Sequence, residues 1–422
     1  MTRIAVIGAG IAGTTSAWSL IRRGYDVTLF DRQRYAAMET SFANGGQLSA
    51  SNAEVWTAWS TILKGLKWMA RKDAPLLFNP TPGWHKLSWV AEFVASIPQY
   101  EANTKETVRL AIAARGHMER MAREAGIDFD REKRGILHVY RNAKDFNHAA
   151  KVTRLYAEAG LERNPVSPDD MRRIEPALSG DFYGGFYTES DSTGDIHKFS
   201  IGLADAIERS GGQFVTGASV TRLVRDADGV TVHFDRDGHG QEERFDGIVI
   251  AAGIASRGFA AQLGDRVNIY PVKGYSITVN LDTPESRGAA PWVSLLDDDA
   301  KIVTSRLGAN RLRIAGTAEF TGENRDIRAD RIRPLTRWCE AMFPGVATES
   351  VVPWAGLRPM MPNMMPRFGR GRAPRVFYNT GHGHLGWTLS AATAEAVAQV
   401  IGNDLPVERG EPVFRPMLVA AE

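Results

Sequence analysis

Residues 1–31, MTRIAVIGAGIAGTTSAWSLIRRGYDVTLFD, decide the fold. Ile4 to Ile7 form a short apolar run of the kind a parallel strand buried on both faces requires. Gly8, Gly10 and Gly13 follow as G-x-G-x-x-G, with Ile11 and Ala12 between the second and third. Thr14 to Arg23 read as a helix closed by Gly24, and Val27 to Phe30 as a second strand ending at Asp31 and Arg32. The three glycines act differently. Gly8 permits the tight turn, Gly10 lets backbone approach a pyrophosphate, and Gly13 lets helix pack on strand. Free N–H groups at the helix start attract phosphate charge. Asp31, eighteen residues after Gly13, suits a ribose diol and disfavours a 2′-phosphate. The unit is expected to bind a dinucleotide, FAD or NAD rather than NADP.

Working outward, the 422 residues can fill two or three domains. A hydrophobic share of 43% and a charged share of 24% are those of an ordinary globular chain. The net charge of +2, from 51 basic and 49 acidic groups, gives no reason to expect nucleic acid. The only cysteine, Cys339, excludes an internal disulfide and a cysteine-rich metal site, and no metal is expected. The first strand begins at Arg3, leaving no room for a signal peptide, and no apolar run approaches the roughly 18 residues of a membrane span. The expected location is the cytoplasm, or the cytoplasmic face of the inner membrane.

Arg32 to Ala53 is a loop rich in glycine and hydroxyl residues, suited to lie against a flat ligand. Trp56–Arg71 and Trp84–Tyr100 carry apolar residues at helical spacing, with Lys64, Lys67, Arg71 and Lys72 beside tryptophans. That mixture fits a core stripe or a face resting on lipid headgroups. Helices are expected over Thr104–Gly126, Ala143–Gly160, Lys198–Ser210 and Ile332–Phe343, and a buried strand over Gly247–Gly253. YSITVN, KIVTS and RLRIAG alternate as strands of an antiparallel sheet. A second glycine cluster, GHGHLGWT, precedes a helix over Ala391–Ile401. A helix N-terminus there could stabilise negative charge on a reduced flavin ring, which favours FAD over NAD. The expected class is therefore α/β plus α+β. A discontinuous Rossmann-like FAD-binding domain (1–85, 186–265 and 346–422) carries an inserted substrate domain (86–185 and 266–345) built on a mostly antiparallel sheet.

The motifs VIGAGIAG, ETSFANGGQLS, LKGLKWM, YPVKGYSITV, KIVTSR, WAGLRPMMP and NTGHGHLGWT, in this order, extend nearly end to end. The chain resembles the FAD-dependent D-amino acid oxidase superfamily, which includes glycine oxidase and sarcosine oxidase. It looks closest to that superfamily's bacterial D-amino acid dehydrogenases of the small-subunit type. The resemblance implies FAD phosphates at Gly8, Gly10 and Gly13 and the adenosine ribose on Asp31. Thr40, Ser41, Asn44, Gly45, Gly46 and Gln47 match the loop beside pyrophosphate and flavin. Val220 matches a strand residue at the adenine, and Ala252 and Gly253 a turn near the cofactor. Gly383, Leu385, Gly386, Trp387 and Thr388 match the segment at the flavin pyrimidine end.

Arg358, in G-L-R-P, matches the family's carboxylate-binding arginine, and its paired donors fit a carboxylate bidentately. His384 stands where glycine oxidase has a second arginine, and Lys301 where it has a tyrosine; Tyr275 is an expected pocket wall. Should the reaction use a protein base, His384 is the candidate, because an ordinary imidazole titrates near working pH. Cys339 lies away from both flavin segments, so a thioether-linked flavin is not expected.

The expected reaction is oxidative deamination of a D-amino acid to a 2-oxo acid and ammonia. Hydride leaves the α-carbon for flavin N5, and electrons pass to a quinone or another non-oxygen acceptor. Two alternatives stay open: a secondary-amine oxidoreductase for D-hydroxyproline, sarcosine or another imino acid, and a non-catalytic FAD-binding subunit. A partner subunit or an oligomer is left undecided.

Overall fold

The computed structural model describes residues 1–68 and 75–407. Strand β1 (Arg3–Ile7), helix α1 (Ile11–Ile21) and strand β2 (Asp26–Phe30) form the expected opening. The helix starts three residues earlier than its apolar pattern predicts. Gly10 takes an extended backbone and serves as its N-cap, with no side-chain cap, so Ile11 to Gly13 make the first helical turn. Gly8 sits at φ +101°, which a side chain would resist, and a Cβ on Gly13 would lie 1.7 Å from the Gly8 carbonyl oxygen. The third glycine therefore exists for contact between helix and turn.

Six strands form the first sheet, in the order 367–370, 376–380, 247–250, β1, β2, 213–215. All neighbours pair in parallel except the 367–370 edge. Alternation along β1 sends Ile4 and Val6 into a core shared with α1 and the helices Ile196–Arg209 and Gly386–Asp404. Ala5 and Ile7 enter a second core, beneath the three-stranded antiparallel sheet of residues 218–245. Burial on both faces explains the unbroken apolar run, each large side chain contributing roughly 1.5–3 kcal/mol of transfer free energy.

The second sheet has nine strands and is mostly antiparallel. Its spine is Tyr270–Asn280, paired antiparallel on one edge with Arg311–Phe320 and on the other with Val351–Met360. Leu76–Phe78 and Val351–Met360, placed with the cofactor domain from sequence, hydrogen bond into this sheet instead. Neither run alternates cleanly enough to reveal its partner; pairing at long range decides it. The helix Ala329–Met342 covers one face and buries Cys339 in the core, where desolvation pushes the thiol up to about 12.

The helix expected at Trp56–Arg71 spans Trp59–Trp68, and its neighbour Trp84–Ala95. Arg71, Lys72 and the side chains of Lys64 and Lys67 lie outside the described residues. Among the described residues no helix is long and apolar enough to cross a membrane, and no cluster of His, Cys, Asp and Glu could hold a metal.

Gly13→Ala is expected to cost at least about 1–3 kcal/mol, because the methyl meets a backbone carbonyl that cannot move without displacing β1. A thermal melt checks this; a midpoint equal to that of the unaltered chain would contradict the packing role.

Candidate active site

The carboxyl ends of β1, β2, 247–250 and 376–380 open onto one cavity of about 590 Å³, which the second sheet closes from the other side. Ligands of open parallel sheets bind at such an edge. Of the residues expected to hold cofactor or substrate, all but Gly13 line this cavity. Gly13 acts one layer behind, through the contact just described.

The cradle is built by its own hydrogen bonds. Asp31 Oδ2 accepts the Ala9 N–H at 2.6 Å and Oδ1 the Gln33 N–H at 2.8 Å. Burial raises its carboxyl pKa while these two donors oppose the rise. The acid thus fixes the glycine turn and keeps lone pairs for a ribose hydroxyl. Arg32 pairs with Glu39, 2.7 Å away, a carboxylate that it shares with Arg325. The Ile11 N–H donates to Ser41 Oγ at 3.0 Å. Ser276 Oγ, Arg313 and Ser305 Oγ donate to the consecutive carbonyls of Ala43, Asn44 and Gly45 at 2.6, 3.1 and 2.6 Å. Those bonds strap the loop expected beside the flavin onto the second sheet. Gln47 Oε1 and Asn379 Oδ1 are buried in the cavity wall with no partner among the described residues. A bound group offering N–H or O–H donors would satisfy them. Two helix N-termini, at Gly10 and Leu385, carry no side-chain cap and border the same space. The residues present fit FAD.

Trp354, Gly356 and Arg358 alternate on one face of their strand. A Cβ on Gly356 would lie 2.0 Å from the Trp354 ring, and one on Gly274, across the ladder, 2.2 Å from the Arg358 guanidinium. Two glycines therefore let an indole and a guanidinium lie flat against the sheet. Arg358 donates to the Thr317 carbonyl at 3.0 Å, and no carboxylate among the described residues pairs with it. Desolvation lowers its pKa to about 10, which leaves it charged at neutral pH. Thr317 has φ +60°, rare for a β-branched residue, beside a register shift in the ladder. That strain, of order 1–3 kcal/mol, turns a carbonyl toward the arginine.

One expectation is corrected here. His384 was expected to titrate near working pH. Burial first, then the Arg358 charge, pushes it down to about 4, so its ring is neutral. It stacks on Trp56 at 4.6 Å, leaves Nδ1 without a partner among the described residues and reaches the Asn52 carbonyl at 3.4 Å. Tyr275 lines the cavity, as expected of a pocket wall; it is 1% exposed and its hydroxyl donates to Glu319 at 3.1 Å, toward a core shared with Lys273 and Arg331. The register shift at Lys273/Tyr275 turns it there. Lys301 is open to the cavity at φ +54° and pairs with Asp298. Burial opposes its charge, but Asp298 and Glu54 prevail and hold its pKa up.

Trp354, Thr317, Trp56 and Glu54 line the site without having been picked from sequence. The period-two spacing of W-x-G-x-R would have found Trp354; no local signal marks the others.

A profile of the family described as FAD dependent oxidoreductase matches residues 3–400. "D-amino acid dehydrogenase 3" of Mesorhizobium japonicum is 64% identical over 408 residues, covering 97% of this chain and 99% of that protein. "D-amino acid dehydrogenase" of Paramagnetospirillum magneticum is 41% identical over 412 residues, 95% of each chain. The crystal structure of glycine oxidase from Geobacillus kaustophilus superposes with a TM-score of 0.73 at 19% identity, covering 96% of both chains, a likeness of fold.

Protonation behaviour tests this site directly. Unfolded histidine takes a proton as pH falls through about 6.5, whereas native His382 and His384 do so only near 4. Stability is therefore complete above pH 6.5 and lost as pH falls toward 4, His382 alone costing on the order of 3 kcal/mol at pH 4. An NMR titration of ring-labelled histidine, assigned with His384→Gln, should find His384 neutral down to about pH 5. A midpoint at 6 or above would refute the assigned environment.

Proposed function

The chain belongs to the FAD dependent oxidoreductase family, and from that premise we propose that it oxidises D-amino acids to 2-oxo acids and ammonia, passing electrons to an acceptor other than oxygen. The supporting observation is Arg358, a half-buried guanidinium facing the cavity with no carboxylate partner among the described residues. A buried cation without a counter-ion is costly unless a ligand supplies one. The names of the relatives above support an amino acid carboxylate as that ligand.

Bound FAD supplies a two-electron acceptor for the hydride lost from the substrate α-carbon. Gly8, Gly10, Ile11 and Ala12 at the helix start, Asp31, the Thr40–Gln47 loop and the Gly383–Thr388 segment would hold it. Arg358 binds and orients the carboxylate, limiting the substrate to poses in which the α-carbon faces the ring. Trp354 and Trp56 narrow the space around it and exclude water. Neutral His384 accepts or donates a hydrogen bond without adding charge and is a weak base, so the reactive form of the substrate is the one whose amine has already lost its proton. The imino acid hydrolyses in water. A carboxylate clamp has no use in an idle cofactor-binding subunit.

The acceptor reading rests on a surface. Trp56, Ser60, Thr61, Pro75 and Leu76 line the cavity beside the helix Trp59–Trp68, and Trp56 and Leu76 pack in one cluster with Trp89 and Phe93 of the helix Trp84–Ala95. Those helices expose Trp59 (61%), Leu63 (66%) and Trp84 (86%), an apolar face suited to a membrane interface where quinone resides.

Arg358→Ala should keep its yellow colour yet lose roughly 10²–10³-fold in kcat/KM for anaerobic flavin reduction by a D-amino acid; unimpaired reduction would overturn the clamp. Replacing Trp59 and Trp84 together by serine should weaken vesicle binding and quinone reduction by roughly tenfold. Turnover with a water-soluble dye should hold, and quinone turnover that survives the double change would remove the membrane reading.

A further inference from the structure

The cavity does not end at the arginine. It continues into a lobe walled by Glu54, Tyr140, His148, Tyr156, Asp298 and Lys301. We propose that this lobe receives the substrate side chain and that Glu54 anchors a terminal cation there, so that D-amino acids with basic side chains are preferred. The inference rests on the D-amino acid reading and adds the side-chain class to it.

The charges around the lobe are unequally satisfied. Lys301 and Asp298 neutralise one another. Arg163, 5% exposed, donates to the Tyr140 hydroxyl at 2.9 Å and to Thr153 Oγ1 at 3.2 Å and lies against the Phe186 ring. It is consumed by the wall. Glu54 differs. Its Oε1 accepts the Tyr100 hydroxyl at 2.6 Å, with His148 Nε2 at 3.9 Å, and its Oε2 has no partner among the described residues. One carboxylate oxygen is therefore free at the cavity surface, on a side chain a neutral phenol already holds still.

Its position suits the far end of a substrate. Asn52 and Trp56, two residues either side, both touch His384, and His384 lies within the field of Arg358. Glu54 itself acts on Lys301, Tyr100 and Tyr156. Glu54 and Arg358 line the same cavity, linked through Asn52, Trp56 and His384, one an anion for the side chain and the other a cation for the α-carboxylate. An ammonium or guanidinium reaching Glu54 forms a charge-assisted hydrogen bond. An aliphatic chain leaves the oxygen unpaired, and an acidic chain meets Glu54 with like charge.

Anaerobic flavin reduction by D-lysine, D-norleucine and D-glutamate tests this, because the first two differ chiefly in the terminal ammonium. The unaltered enzyme should favour D-lysine over D-norleucine in kcat/KM by at least about tenfold. Glu54→Gln, which keeps an acceptor for Tyr100, should cut that ratio by roughly 10–100-fold. Equal kcat/KM for D-lysine and D-norleucine in the unaltered enzyme, or a ratio Glu54→Gln does not change, overturns the assignment. Flavin left unreduced by all three, and by D-alanine, overturns instead the reading on which it rests.

Discussion

A half-buried guanidinium with no counter-ion among the described residues is the constraint around which the second half of the molecule is arranged. Arg358 stays charged although burial lowers its pKa to about 10. Three features of the sheet hold it there. Gly274 provides the bare surface on which it lies, Thr317 turns a strained carbonyl to one of its donors, and Trp354 fills the neighbouring position on the same face. Each is unfavourable or wasteful in a sheet built for stability alone. Together they describe a site whose energy is recovered only when an anion arrives.

The first sheet imposes a matching constraint. Its strands end at one rim, so the glycine turn after β1, the acid after β2 and the turns at Ala251–Gly253 and Gly381–Leu385 converge without any of them being close in sequence. The loop between the sheets is fixed to both. Thr40 donates to the Leu357 carbonyl at 2.8 Å, next to Arg358, and three residues of the second sheet hold the carbonyls of Ala43 to Gly45. A cofactor against this loop and a carboxylate on Arg358 are thus registered against each other by backbone hydrogen bonds. Flexible side chains do not set that spacing.

The cofactor half of the site was legible in the chain because its chemistry is backbone chemistry. Gly8, Gly10 and Asp31 are required at fixed separations, and such requirements survive as a motif. The one misjudgement has a physical cause. Gly13 shares the motif and serves packing, as read. His384 was assigned from residue type and ordinary pKa, and a desolvated ring beside an arginine cannot be read from neighbours in sequence.

The sequence by itself determined that a dinucleotide-binding βαβ unit opens the chain, that a mostly antiparallel sheet follows, and that Arg358 belongs to a motif. Local spacing controls all three. Only the tertiary structure decided that Val351–Met360 joins the second sheet, that Arg358 lacks a counter-ion among the described residues, and that Glu54, more than 300 residues away in sequence, opens on the same cavity. Desolvation and charge pairing depend on what long-range strand pairing brings together, and the chain carries no short-range record of that.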